Sequence, residues 1–229
     1  STVKYDSGIT TNSASVIKST VTTAIVDHGT SQLKDFDKSF RYSNLIKAID
    51  EAEVSIKSNQ TSVSIKRFLY PTLGTSEAYT LKFSNEIYHP SNTFWGAVSS
   101  GEFSYRDTAN TLWTGCKIQD ANGVAQVYRT SGQDRIIVDS DIGTVTYTSG
   151  KMSLVGFYPI AIGSVSTGNT TALEVSIVPS SSDVLPLREQ IILLEEDDIT
   201  ITMVDDAGTG TYVTGSSTGA DGSTLITGT

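Results

Sequence analysis

Between CKIQDA and VAQVYR the chain carries Asn122-Gly123, and this dipeptide restricts the fold more than any other feature. A two-residue connection of type I′ needs positive φ at both central positions, which Asn and Gly tolerate and most residues do not. The flanking runs alternate apolar and polar side chains, the period of a strand with one buried face. The segment is therefore a tight β-hairpin, and any fold containing it contains an antiparallel sheet. Downstream, DRIIVDSDIGTVTYTSGKMSLVGF repeats the alternation, with Ser149-Gly150 as the turn of a second hairpin. TALEVSIVPSSSDVLPLREQIILLEEDDITITMV adds at least two strands, the last being the alternating DITITMV.

Upstream the pattern changes. Residues 1–20 are polar and read as extended chain, STVTTAIVD (Ser19 to Asp27) as a β-branched strand, and HGTSQLKDFDKSF as a loop broken at Gly29. One amphipathic helix follows: Leu45, Ile46, Ile49 and Ala52 share a face opposite Lys47, Asp50, Glu51 and Glu53. Ser43 fits its N-cap, where a hydroxyl accepts from a free backbone N–H of the first turn. A short alternating run then turns at Ser58 and Asn59, the candidate structural turn, before a strand from Thr61 through Val63 and Ile65. YPTLGTSEAY is a connector, and YTLKFSNEIY is a half-buried strand. HPSNTFWGAVSSGEFSYRDTANTLWTG reads as a long irregular stretch holding both tryptophans, and loops of that length are usually functional. Its aromatic residues Phe94, Trp95, Phe103, Tyr105 and Trp113 are the candidate interface, because aromatics dominate interface cores. A place in the core beneath the loop competes for the two tryptophans.

These readings give an α+β, mainly β class. A small α/β helix-strand domain occupies 1–75, antiparallel hairpins or a sandwich-like domain 76–205, and a Gly/Thr/Ser-rich tail or arm 206–229. Sixteen Lys and Arg against twenty-five Asp and Glu leave a net charge of −9, which argues against a phosphate-backbone partner. The chain has no apolar run long enough for a membrane span, and its start lacks the basic and apolar regions of a secretory signal. Cys116 is the single cysteine, so no internal disulfide forms. His28 and His89 are not spaced as a ligand pair. Neither a serine-nucleophile elbow nor a phosphate-binding glycine loop is present. Glu195–Asp198 reads as a solvated turn, and Asp139–Gly143 lacks the later ligands of a calcium loop. No catalytic set, metal or cofactor is expected.

Three segments resemble baseplate wedge proteins (the baseplate J-like family) of contractile-tail phages of the T-even type. The first, DFDKSFRYSNLIKAIDEAEVSIKSNQTSVSIKR, resembles them through Leu45, Ala48, Ile49 and Asp50, then Ile56, Ser58, Asn59, Thr61 and Val63. The second, IGTVTYTSGKMSL, does so through Gly143, Val145, Tyr147, Gly150 and Leu154. The third, IVPSSSDVLPLREQIILL, does so through Pro179, Asp183, Pro186, Arg188 and Ile192. The resemblance corresponds to the C-terminal part of such proteins. It implies a non-catalytic virion protein of the tail baseplate, assembled in the host cytoplasm. Its partners would be a second copy, within a ring around the tail hub, and other baseplate proteins, with neither nucleic acid nor membrane.

A carbohydrate- or receptor-binding tail module is the alternative, supported by the aromatic residues and the Ser/Thr-rich strands. An enzyme with an unseen carboxylate pair is a third reading, and nothing in the sequence selects such a pair.

Overall fold

The computed structural model describes residues 1–163, 171–186 and 188–207, together with the backbone of two short paired strands, Ser217–Thr218 and Thr224–Leu225. The remainder of the expected tail or arm at 206–229 lies outside the described residues. In chain order the elements are β1 (Thr2–Tyr5), α1 (Ala14–Gln32), α2 (Tyr42–Asp50), β2 (Ile56–Gln60), β3 (Ile65–Leu69), β4 (Glu77–Lys82) and β5 (Trp95–Ser100). There follow β6 (Phe103–Arg106), β7 (Leu112–Ala121), β8 (Val124–Ser131), β9 (Asp134–Thr146), β10 (Lys151–Phe157), β11 (Pro159–Ile162), β12 (Leu173–Ile177), a 3-10 turn (Glu196–Asp198) and β13 (Thr202–Asp205). The class is α+β, mainly β, as expected.

The large sheet runs β3-β12-β5-β7-β8-β9-β10-β4, with β6 on β7 and β11 on β6. Because β10 passes through Tyr158 into β11, the pairings come almost full circle into a nearly closed antiparallel sheet. Its hairpins are local. Asn122 and Gly123 take φ of 47° and 85°, and Ala121 faces Val124, the type I′ geometry expected. The turn between β9 and β10 ends at Gly150, φ 57°, where a Cβ would lie 2.1 Å from the Asn85 carbonyl oxygen; only glycine fits there. Inside, Phe103, Tyr105, Cys116, Ile118, Val127, Met152 and Phe157 form one apolar core. Phe157 packs against Phe103 and Tyr105 with ring centroids 5.2 and 5.9 Å away.

The stretch expected to be irregular instead contains β5, β6 and the start of β7. Its alternation is hidden by small residues and by a register shift between Trp95 and Ser99, where Gly96 has φ 85°.

The second layer is an α/β unit. Its sheet is β13-β1-β2, with β1 antiparallel to β2 and parallel to β13. Val3 and Tyr5 on β1 share a core with Ile17, Val21 and Ile25 of α1 and with Leu45 and Ile49 of α2. Val184 and Ile201, from the far end of the chain, complete it.

Here the structure corrects the local sequence reading. Ser19 to Asp27 is the middle of α1, not a strand. The buried residues Ile17, Val21, Ile25 and His28 recur at helical spacing, and Ser13 caps the helix by accepting from Val16 N. Thr20, Thr22, Thr23 and Thr30 donate to the carbonyls four residues back, so their β-preference gives way to tertiary burial. Gly29 does not break the chain: it lies within α1, where Leu194 approaches to 3.0 Å of the place a Cβ would take. In α2 the N-cap is Arg41, not Ser43, and its side chain makes no capping bond. The carboxylate of Asp183 accepts from Tyr42 N at 2.8 Å instead, and also pairs with Arg41.

Candidate interaction surface

On β6, alternate residues face inward, and this decides the fate of two expected interface residues. Phe103 and Tyr105 are fully buried in the large core, so they are not surface groups. The Tyr105 hydroxyl donates to Asp139 Oδ2 at 2.9 Å, and burial pushes its pKa well above the usual phenol range. Phe94 is half-buried and meets Tyr88 edge-on at 5.5 Å. Trp113 is also half-buried. Its Nε1 donates to Asp107 Oδ2 at 2.8 Å, which holds that carboxyl below its ordinary pKa, and Arg129 lies 5.0 Å from the ring.

Trp95 is different. It stands at the start of β5 with 54 % of its surface exposed. The Arg135 guanidinium lies 3.8 Å from its ring centroid and 5.7 Å from that of Tyr128, a cation–π arrangement. Ile137, two residues on from Arg135 and paired with Tyr128, is 40 % exposed. Sequence reasoning found Trp95 but missed Arg135, because the stack joins strands whose proximity is set by the bulged sheet.

Ser58 and Asn59 do not form a turn: both lie within β2, opposite Lys4 and Val3 of β1. The Asn59 amide donates to Asp50 Oδ1 at 2.7 Å, and its Oδ1 accepts from Thr61 Oγ1 at 2.7 Å. The short polar side chain that suggested a turn instead ties the strand to the end of α2. Tyr42 adds a second tie, donating from its hydroxyl to the Thr61 carbonyl at 2.7 Å.

A buried polar trio sits under the Asn122-Gly123 hairpin. Asp120, fully buried, accepts from Val98 N at 2.7 Å and from the Tyr147 hydroxyl at 2.9 Å. That hydroxyl in turn accepts from Gly123 N at 2.7 Å, while His89 stacks on the Tyr147 ring at 3.9 Å. Burial pushes the Tyr147 pKa up to about 12, so it keeps its proton at neutral pH and works as a hydrogen-bonded lock. Burial likewise pushes the Cys116 thiol up to about 11, far from a reactive thiolate.

Where the two cores meet, two adjoining cavities of about 230 and 410 Å³ are lined by β3 and the returning chain. Lys66, its side chain 18 % exposed, crosses this junction to Glu174 (3.2 Å) and Asp198. None of the expected interface residues lines either cavity. Among the described residues, no cluster of His, Cys, Asp and Glu is placed to hold a metal ion, and no helix is long and apolar enough to cross a membrane.

No curated protein matches the chain. Residues 1–67 match the family model described as baseplate structural protein gp6, C-terminal domain III, and this match supports a phage baseplate structural protein located in the virion tail.

Proposed function

We propose that the chain is a non-enzymatic wedge component of a contractile-tail baseplate. It dimerises and joins neighbouring wedges into a ring around the hub, other baseplate proteins dock on that ring, and the whole is assembled in the host cytoplasm. The family match over residues 1–67 carries this reading. It is supported by the part the motif residues play. Leu45 and Ile49 are core, Gly150 is a close-packed turn, and Asp183 caps a distant helix. These residues build a scaffold, and Leu45 is the one of them that also lines a junction cavity. A ring that survives sheath contraction calls for packed protein–protein interfaces of the larger classes.

Sedimentation velocity of the whole chain tests the reading: a dimer is expected, and a strict monomer at high micromolar concentration contradicts it. The exposed Trp95 is the one observation that favours a carbohydrate-binding module. Arg135, however, already lies over its ring, where a sugar would need to stack. Glycan-array binding lost in Trp95→Ala would favour that second reading.

A further inference from the structure

Two charged features of this fold make no ion pair among the described residues. The Arg135 guanidinium makes no hydrogen bond or ion pair among the described residues; it only stacks on Trp95 and Tyr128. A guanidinium held by its face keeps its in-plane N–H donors free, a geometry suited to accepting a carboxylate edge-on through two parallel bonds. Trp95 and Ile137, both exposed, supply apolar surface beside it. Tryptophan, tyrosine and arginine are the residue types that concentrate binding energy at interfaces. On the returning chain, the carboxylates of Glu195, Glu196 and Asp197 are all exposed at the 3-10 turn. They too make no side-chain hydrogen bond or ion pair among the described residues. Their neighbour Asp198 is taken by Lys66, which fixes the turn and leaves these three facing solvent.

We propose that the Trp95–Arg135 platform of one copy receives the acidic turn Glu195–Asp197 of a second copy. This rests on the self-association proposed above and names its surface. Charge complementarity selects the occupant: an unspent cation backed by aromatics on one face meets the unspent acidic run on another. In a two-fold dimer the contact occurs twice, platform to turn and turn to platform, as an isologous interface requires.

The test is a charge swap on the whole chain, read as the dimer dissociation constant by sedimentation. Arg135→Glu should weaken the dimer at least about 30-fold, the range seen when one partner of a close interfacial charge pair is lost. Trp95→Ala should weaken it comparably. The triple variant Glu195→Lys, Glu196→Lys, Asp197→Lys should do the same, and combining it with Arg135→Glu should restore association to within a few-fold of the parent. Unchanged circular dichroism in each variant checks the fold. A dimer indifferent to Arg135→Glu, or a swap that fails to restore association, overturns the proposed surface while leaving self-association standing. A parent chain that stays monomeric overturns both.

Discussion

The large sheet and the α/β unit use the chain in opposite ways. The sheet is built from residues 65 to 177 in sequence, and its hairpins β7–β8 and β8–β9 close over two residues each. The α/β unit takes β1, α1, α2 and β2 from the first sixty residues, then waits for β13, Val184 and Ile201. Ser1 N donates to the Thr200 carbonyl across 199 residues of chain. If the intervening chain were unfolded, closing a loop of that length would cost roughly 4 kcal/mol more than closing a short hairpin. The large sheet removes most of that cost by bringing the returning chain back to β1. So the segment that matches the family model, 1–67, has its core completed by residues outside the match.

Charged groups tie down the return. Asp183 holds Tyr42 N and Arg41, Asp198 holds Lys66, Asp205 accepts from Ser7 N, and the Asp206 carbonyl accepts from Lys57. Both helices lie in the α/β unit and both tryptophans in the large sheet. Helical circular dichroism and tryptophan fluorescence therefore report the two regions separately.

The largest expected effect is that of Ile49→Asp, which puts a carboxylate into the fully buried face of α2. It should cost more than about 4 kcal/mol and remove the helical signal while tryptophan fluorescence stays native. Loss of both together would break the comparison, showing one cooperative body. Phe157→Ala, at the centre of the aromatic cluster of the large sheet, should cost about 3–5 kcal/mol. It should take both signals down, since the α/β unit depends on the sheet for its closure. That asymmetry between the two variants is the sharper form of the comparison.

Acid should separate the regions next. Backbone and side-chain hydrogen bonds hold Asp183 (from Tyr42 and Arg41), Asp205 (from Ser7) and Asp6 (from Lys57) below the ordinary carboxylate range. Groups with depressed folded pKa values stabilise fully above the unfolded value, and that contribution falls as pH drops through the folded value. His28, kept neutral by burial against Phe40, adds a loss in the same direction as it is forced to charge. In the large sheet Asp107, bonded to Trp113 Nε1, is held down in the same way, but it is one group against the three of the α/β unit. On titration below pH ~4, the helical signal should therefore fall before the fluorescence. Coincident acid transitions would contradict this. The smallest effect is Asp50→Ala, which removes the acceptor of the Asn59 amide and should cost about 1 kcal/mol in thermal or denaturant unfolding.

What was legible in the sequence was local. Asn122-Gly123 states its own turn, and Leu45 and Ile49 state the buried face of α2, because neighbours in the chain decide both. α1 is hidden because Val21, Thr22, Thr23, Ile25 and Val26 crowd β-branched residues into one window, where strand preference obscures the helical recurrence of Ile17, Val21 and Ile25. The cap on α2 comes from Asp183, 141 residues away from Tyr42, and no local pattern announces it. Phe103 and Tyr105 looked like surface aromatics only because Gly96 and the surrounding serines masked the strands that turn them inward. The Arg135 stack on Trp95 is invisible for the same reason as the return of β13: it depends on which strands meet.

The most direct measurement is to express residues 1–67 alone and follow urea unfolding by circular dichroism at 222 nm. Without Val184, Ile201 and β13, the fragment should show no cooperative transition, whereas the whole chain does. A fragment that unfolds cooperatively with full helical signal would contradict the claim that the far end of the chain completes this unit.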